Sequence, residues 1–170
     1  MPDRWDRMTR PAILVLAAVV ASSASVSATA EIPVSPLKDI YLSYNDCLEV
    51  AQPAGLSTAK LGELGWQQAT MSDGKSKAVE QPLIFGKADR KPLIILSAKS
   101  GEGICIVMAR IQSRATFPEF LKAWGGKLPA PDAEGRIIFS DEGRLVVLQQ
   151  TGSDQQPALT MSVMTPTEKK

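Results

Sequence analysis

The segment that decides the fold is LIILSAKSGEGICIVMA, residues 93–109. Two runs rich in branched aliphatic side chains, 93–96 and 104–109, flank a polar stretch that contains two glycines. This pattern predicts a strand, a turn and a second strand. Neither run alternates apolar with polar residues. The sequence therefore predicts that both faces of these strands are covered and that they lie centrally in a sheet.

Further strands are predicted on both sides of this segment. Downstream, short polar links that suit an antiparallel meander separate three candidates, 136–140, 144–150 and 158–164. Upstream, the candidates are 66–70, either alone or together with 83–85. The polar residues at 72–81 predict an exposed loop between them.

Two main helices are predicted. The first begins with Ser35 as a capping residue and Pro36 at the first helical position. Its apolar residues recur at the spacing of one helical face: Leu37, Ile40, Tyr41, Tyr44, Cys47, Leu48 and Ala51. The second follows Thr116, which has the form of a capping box with Glu119, and it ends at Gly125. A short helical turn is also predicted at 58–63.

The element order α-βββ-α-βββ predicts an α+β fold, with an antiparallel sheet of about five to six strands and two main helices. The order suggests a degenerate duplication, although no repeat of residues supports it. Two short helices are too few to cover both faces of a sheet whose central strands are apolar throughout. A homodimer that buries the second face is therefore a hypothesis of the sequence.

The chain has two cysteines, Cys47 and Cys105. In an oxidising compartment such a pair predicts a disulfide that staples the fold. The alternative is a redox pair, which lacks the C-x-x-C spacing and requires an accessible sulfur.

The amino terminus has the pattern of a secretory signal peptide. Arg4, Arg7 and Arg10 precede an apolar run at 12–21, and Ala28-Thr29-Ala30 forms an A-x-A cleavage site. The run is ten residues long, whereas a membrane-spanning helix needs about 20. We therefore expect residues 1–30 to be removed, no span to be retained, and residues 31–170 to form one periplasmic or secreted domain. A start at Met8 leaves this prediction unchanged.

Composition argues against several classes of function. The chain has 19 Lys and Arg and 18 Asp and Glu; the predicted signal peptide takes three Arg and two Asp, which leaves 16 of each. A neutral domain does not suggest nucleic acid as a partner. The chain has no histidine, the usual base of serine and cysteine hydrolases and the commonest zinc ligand. No metal or cofactor is predicted.

One motif with catalytic potential remains. Ser57-Thr58-Ala59-Lys60 has the S-x-x-K form, in which a lysine one helical turn away can deprotonate a serine. These four residues resemble the motif of penicillin-binding proteins and β-lactamases, but the S-D-N-type and K-T-G motifs of those families are absent. A second match starts at Ser72. The alternative interpretation is that Ser57 caps a short helix and Lys60 points to water.

The sequence as a whole favours a non-enzymatic exported module that binds a protein or envelope component through its sheet surface or loops. A small serine hydrolase that uses Ser57 with Lys60 is the alternative hypothesis. A redox protein that uses Cys47 and Cys105 is the third.

Overall fold

A computed structural model of the protein describes residues 32–69 and 82–165. The chain divides into two units, 1–30 and 31–170, and every described residue belongs to the second. The predicted signal peptide and the predicted loop at 72–81 lie outside the described residues.

Three helices are described, and two of the predicted caps are wrong. The bounds are α1 Leu37–Val50, α2 Thr58–Glu63 and α3 Thr116–Leu121, which continues as a 3₁₀ turn over Lys122–Trp124. Pro36 occupies the N-cap of α1, so Ser35 lies one residue too early; its backbone N–H donates to the carbonyl of Arg110 instead. In α3 the N-cap is Ala115, and no side chain caps the helix.

Ten strands form two antiparallel sheets in the described residues, so the α+β class is confirmed and the predicted number of strands was too low. The larger sheet has the order β3-β4-β5-β7-β10-β9-β8. Its strands are β3 Gln67–Gln68, β4 Leu83–Lys87, β5 Arg90–Leu96, β7 Ile104–Arg110, β8 Arg136–Asp141, β9 Arg144–Gly152 and β10 Pro157–Met164. The predicted strands at 93–96 and 104–109 fall in β5 and β7, in the middle of this sheet.

The second sheet contains three short strands in the order β1-β2-β6: Ala51–Gln52, Gly55–Ser57 and Ser100–Gly101. This second sheet is the main departure from the predicted order of elements. The segment predicted as a turn between β5 and β7 contains β6, which pairs with β2. Gly55 has φ +110°, and a Cβ there would lie 2.6 Å from the carbonyl oxygen of Gly101. Only glycine permits this close approach of the two strands.

The two halves of the chain meet at the middle of the larger sheet. In the first half α1 precedes β4, β5 and β7, and in the second half α3 precedes β8, β9 and β10. The last strands of the two halves, β7 and β10, pair with each other, so the strand order of one half mirrors that of the other. Strands β1, β2, β3 and β6 lie outside this pattern, so the number and order of strands differ from the predicted α-βββ-α-βββ.

All three helices lie on one side of the larger sheet. Helix α1 packs against β5, β7 and β10, and α2 packs against α1. The 3₁₀ turn after α3 places Trp124 against Tyr44 of α1 and Phe139 of β8. The apolar central strands predict that both faces of the sheet are covered. The described helices cover only one of them.

Candidate interaction surface

The S-x-x-K segment lies where β2 ends and α2 begins. Ser57 occupies the N-cap, and its Oγ accepts a hydrogen bond from the backbone N–H of Lys60 at 3.2 Å. The Lys60 ammonium lies 3.4 and 3.7 Å from carboxylate oxygens of Glu63 and Glu49. This is the geometry of a helix cap with surface ion pairs, and it gives the hydrolase hypothesis no support. The second match, at Ser72, lies outside the described residues.

Ser57→Ala is expected to lower the free energy of unfolding by about 1 kcal/mol, because the N-terminus of α2 loses its capping oxygen. Ser57→Asp keeps an oxygen at the cap and serves as the matched control. Urea denaturation of the three proteins measures the effect. Equal destabilisation by both substitutions would contradict the capping role. Labelling of the unaltered protein by a serine-directed probe, lost in Ser57→Ala, would restore the hydrolase hypothesis.

The predicted disulfide is confirmed. Cys47 of α1 and Cys105 of β7 are bonded, with Cα atoms 5.6 Å apart, and both residues are fully buried. Thiol–disulfide exchange needs a thiolate to reach one of the sulfurs. The redox hypothesis therefore gains no support from this bridge.

A buried ion pair that the sequence did not predict includes Asp46 of α1, the residue before Cys47. The Oδ2 atom of Asp46 accepts hydrogen bonds from Nε1 of Trp66 at 2.8 Å and from Nη1 of Arg90 at 2.6 Å. The side chains of Arg90 and Asp46 are 12% and 10% exposed. These contacts tie α1 to the segment before β3 and to the start of β5.

A second buried polar contact joins α1 to the end of β8. The hydroxyl of Tyr44 donates to Oδ2 of Asp141. Burial, and then the Asp141 carboxylate, raise the pKa of Tyr44 far above its ordinary value. The hydroxyl therefore stays protonated and donates its hydrogen bond. Both side chains are thus engaged in the contact between α1 and β8.

Among the described residues, the concavities on the helical side include two small ones. One, of about 250 Å³, is an apolar groove between α1 and α3, lined by Leu37, Lys38, Tyr41, Glu119, Phe120 and Ala123. The other, of about 310 Å³, is polar and is lined by Asn45, Leu48, Glu49, Gln52, Glu142 and Arg144. Arg144 there donates to the Ala51 carbonyl at 2.6 Å and pairs with Glu142. Both volumes are at or below the lower end of ordinary ligand pockets, about 300–1,000 Å³.

The most extended feature is the face of the larger sheet opposite α1. Side chains alternate between faces along each strand, and the α1 side takes the buried set that includes Cys105, Val107 and Val163. The strand register aligns the other set into one row across six strands: Ile84, Ile95, Ile106, Ser162, Val147 and Ile138. Five of these six side chains are branched aliphatics. We call this side of the sheet the open face.

Neighbouring positions extend the apolar row into an apolar centre of the open face, with polar and charged residues at its rim. Above and below the row lie Leu93, Met108 and Thr160, and Ile104, Met164 and Leu145. Ile138 and Leu145 are 41% and 46% exposed, and the rest are partly buried. Surface patches of this kind on soluble domains commonly mark interaction sites.

Charged side chains border the apolar centre of this face: Lys91 of β5, Arg110 of β7 and Arg136 of β8. Arg136 of β8 is held by Asp132 and Glu134, each at 2.8 Å. The backbone N–H of Arg136, and then its guanidinium, lower the pKa of Asp132. The charge of Arg136 is thus paired within the chain.

The open face also has relief. Strand β10 runs through its middle and presents the small side chains of Ala158, Thr160 and Ser162. Larger side chains flank two of these positions: Ile106 and Val147 lie beside Ser162, and Met108 and Gln149 lie beside Thr160. The face therefore has a shallow trough over Thr160 and Ser162, between the larger side chains of β7 and β9, and Met164 closes one end of it.

Comparisons with known proteins add no identity: no family model, no curated protein and no solved structure matches the chain. Among the helices in 32–69 and 82–165, none has the length and apolar character needed to cross a membrane. The same residues contain no group of three or more cysteine, aspartate or glutamate side chains placed to hold a metal ion.

Proposed function

We propose that the protein is an exported, non-enzymatic binding module that holds a protein of the cell envelope on its open face. The observation that carries this proposal is the row from Ile84 to Ile138, an apolar band across six strands that no described helix covers. Burying partly exposed aliphatic side chains contributes about 25 cal/mol for each Å² removed from water. A sheet surface of this composition therefore favours a bound state over an exposed one.

Other observations support a structural basis for binding rather than for chemistry. Ser57 caps a helix, Asp46 and Tyr44 are engaged in buried contacts between elements, and the disulfide is buried. These groups hold the sheet in place behind the open face. The signal-like amino terminus and the disulfide support export, because such bridges persist in oxidising compartments.

Site-specific photo-crosslinking in cells tests the proposal. The full 170-residue chain is expressed in a bacterial host with a photoreactive phenylalanine analogue at position 138, on the open face. The matched control carries the analogue at position 41 on α1, where Tyr41 is 40% exposed, close to the 41% of Ile138. We expect a discrete crosslinked product from position 138 in the exported fraction, with the chain shortened by the first 30 residues.

The control separates a specific surface from general stickiness. Equal crosslinking from positions 41 and 138, or none from 138, would overturn the binding role of the open face. A product that retains residues 1–30 in the cytoplasm would overturn export.

A further inference from the structure

We propose that the occupant of the open face is a second copy of this chain, so that two sheets pack face to face in a symmetric dimer. The inference rests on the proposed function of the open face as a binding surface and names its partner. It explains why the central strands are apolar on both sides although the described helices cover only one.

The size of the patch is sufficient for a dimer. Six strands about 4.8 Å apart span roughly 24 Å, and seven residues along a strand span roughly 23 Å. Each copy thus presents roughly 550 Å² of flat area, in which the apolar rows form the centre and Arg110, Gln149 and Arg136 form a polar rim. Two copies together bury more than about 1,000 Å², the lower bound for a specific interface.

The relief of the face is self-complementary about one axis. We place a two-fold axis parallel to the strands, between β7 and β10, where the two halves of the sheet meet. Rotation about this axis sets the Ile106 ridge of one copy over Ser162 in the trough of the other. Ile95 then faces Val147, since both lie one strand further out in the same row.

The outermost strands follow the same rule. Ile84 of β4 faces Ile138 of β8, the two ends of the row. Because sheets are twisted, two packed sheets are usually rotated by about 30° relative to each other. This rotation separates the facing residues at the rim of the interface. The contact of Ile106 with the trough, close to the axis, is retained. In a symmetric pair every such contact occurs twice.

Charge and composition also favour a second copy over the segments of this chain that lie outside the described residues. The predicted mature chain carries 16 basic and 16 acidic residues, so two copies have no net repulsion. By sequence, 70–81 is mainly polar, with two lysines, an aspartate and a glutamate, and 166–170 ends in Glu-Lys-Lys. The long apolar run at 12–21 belongs to the predicted signal peptide and is absent from the exported protein.

Sedimentation velocity of the exported protein, expressed as the full chain and purified from the exported fraction, tests the dimer. We expect a dimer that dissociates on dilution. Ile106→Lys, which places a charge at the centre of the interface, is expected to raise the dissociation constant at least ~100-fold. Tyr41→Lys is the matched control on the helical side and is expected to leave the dimer intact. Circular dichroism confirms that both variants are folded.

A second measurement uses the unaltered protein and does not depend on a variant. Met108 and Met164 lie on the open face, whereas Met161 is fully buried on the α1 side. Dilute peroxide oxidises accessible methionine to the sulfoxide. We expect oxidation of Met108 and Met164 to slow in proportion to the dimeric fraction as the protein is concentrated, while Met161 stays slow throughout.

Three results would overturn the proposal: a monomer at concentrations up to ~100 µM, above the micromolar range of weak specific interfaces; equal weakening by Ile106→Lys and Tyr41→Lys; or oxidation of Met108 and Met164 that does not change with concentration. A monomer that still crosslinks from position 138 to a different envelope protein would overturn the dimer and leave the proposed binding function standing. A monomer without any such product would remove both.

Discussion

Replacing Cys47 and Cys105 together by alanine is expected to lower the free energy of unfolding by about 4 kcal/mol. The bridge joins residues 58 apart in the sequence, and a crosslink over a loop of this length strongly restricts the unfolded chain. The loss is a large fraction of the 5–15 kcal/mol that stabilises a typical domain. Urea denaturation of the variant and the unaltered protein, each monitored by circular dichroism, measures it.

The position of the bridge makes the effect larger than that of a surface crosslink. Both residues have zero exposure, so the alanines also leave space between α1 and β7. The control is the unaltered protein incubated with a reductant and a thiol-alkylating reagent. We expect alkylation only after denaturant is added, because the native bridge is shielded. A double variant within about 1 kcal/mol of the unaltered protein would show that α1 docks on the sheet without the bridge.

The parts of the fold that follow from the sequence are those with a strong local composition or a strong chemical constraint. The runs at 93–96 and 104–109 are apolar without interruption and rich in β-branched residues, and they form the middle of the sheet. The links at 142–143 and 153–156 are short, so β8, β9 and β10 pair in succession. The disulfide follows from a single pair of cysteines in a chain predicted to be exported.

The parts that do not follow depend on contacts between distant residues. Strands β1, β2 and β6 contain two or three residues each, too few to show a period, and they form because Gly55 passes close to Gly101. Ser35 and Thr116 are residue types that often cap helices. However, the N-cap of α1 is one residue later, at Pro36, and Thr116 is already the first residue of α3. Element boundaries of this kind depend on tertiary docking, here the hydrogen bond from Ser35 to Arg110.

The open face was predictable only in part. An apolar run without alternation indicates cover on both sides of a strand, but it does not say what provides the cover. That the helices share one side follows from the ring contacts of Trp124 with Tyr44 and Phe139, residues of three separate elements. The row across six strands requires the register of five strand pairs, which the sequence of any one strand does not contain.

Asp46→Ala is expected to destabilise the protein by about 3–5 kcal/mol, because it leaves the Arg90 guanidinium buried without its carboxylate. Trp66 loses the acceptor of its indole N–H in the same variant. The sequence gives no warning of this cost, since Asp46 lies 44 residues from Arg90 and 20 from Trp66. Chemical denaturation at neutral pH measures the effect.

A surface pair of nearly equal length provides the matched control. Arg114 Nε lies 2.5 Å from Oδ1 of Asp154, but these side chains are 46% and 82% exposed. Asp154→Ala is therefore expected to cost at most about 1 kcal/mol, because water solvates the arginine that remains. If Asp46→Ala and Asp154→Ala lower the free energy of unfolding by the same amount, burial does not determine how much the Asp46 contacts stabilise the protein.

The double variant Asp46→Leu with Arg90→Met tests whether the buried ion pair stabilises the fold by more than the avoided penalty of an unpaired charge. Removing both charges also removes the penalty of an unpaired ion, so most of the lost stability is expected to return. The remaining loss then reports the Trp66 hydrogen bond, about 1 kcal/mol. Failure of the double variant to recover would mean that the charges fix the position of α1 over the sheet. In that case the same variant should also weaken self-association, because α1 supports the strands that carry the open face.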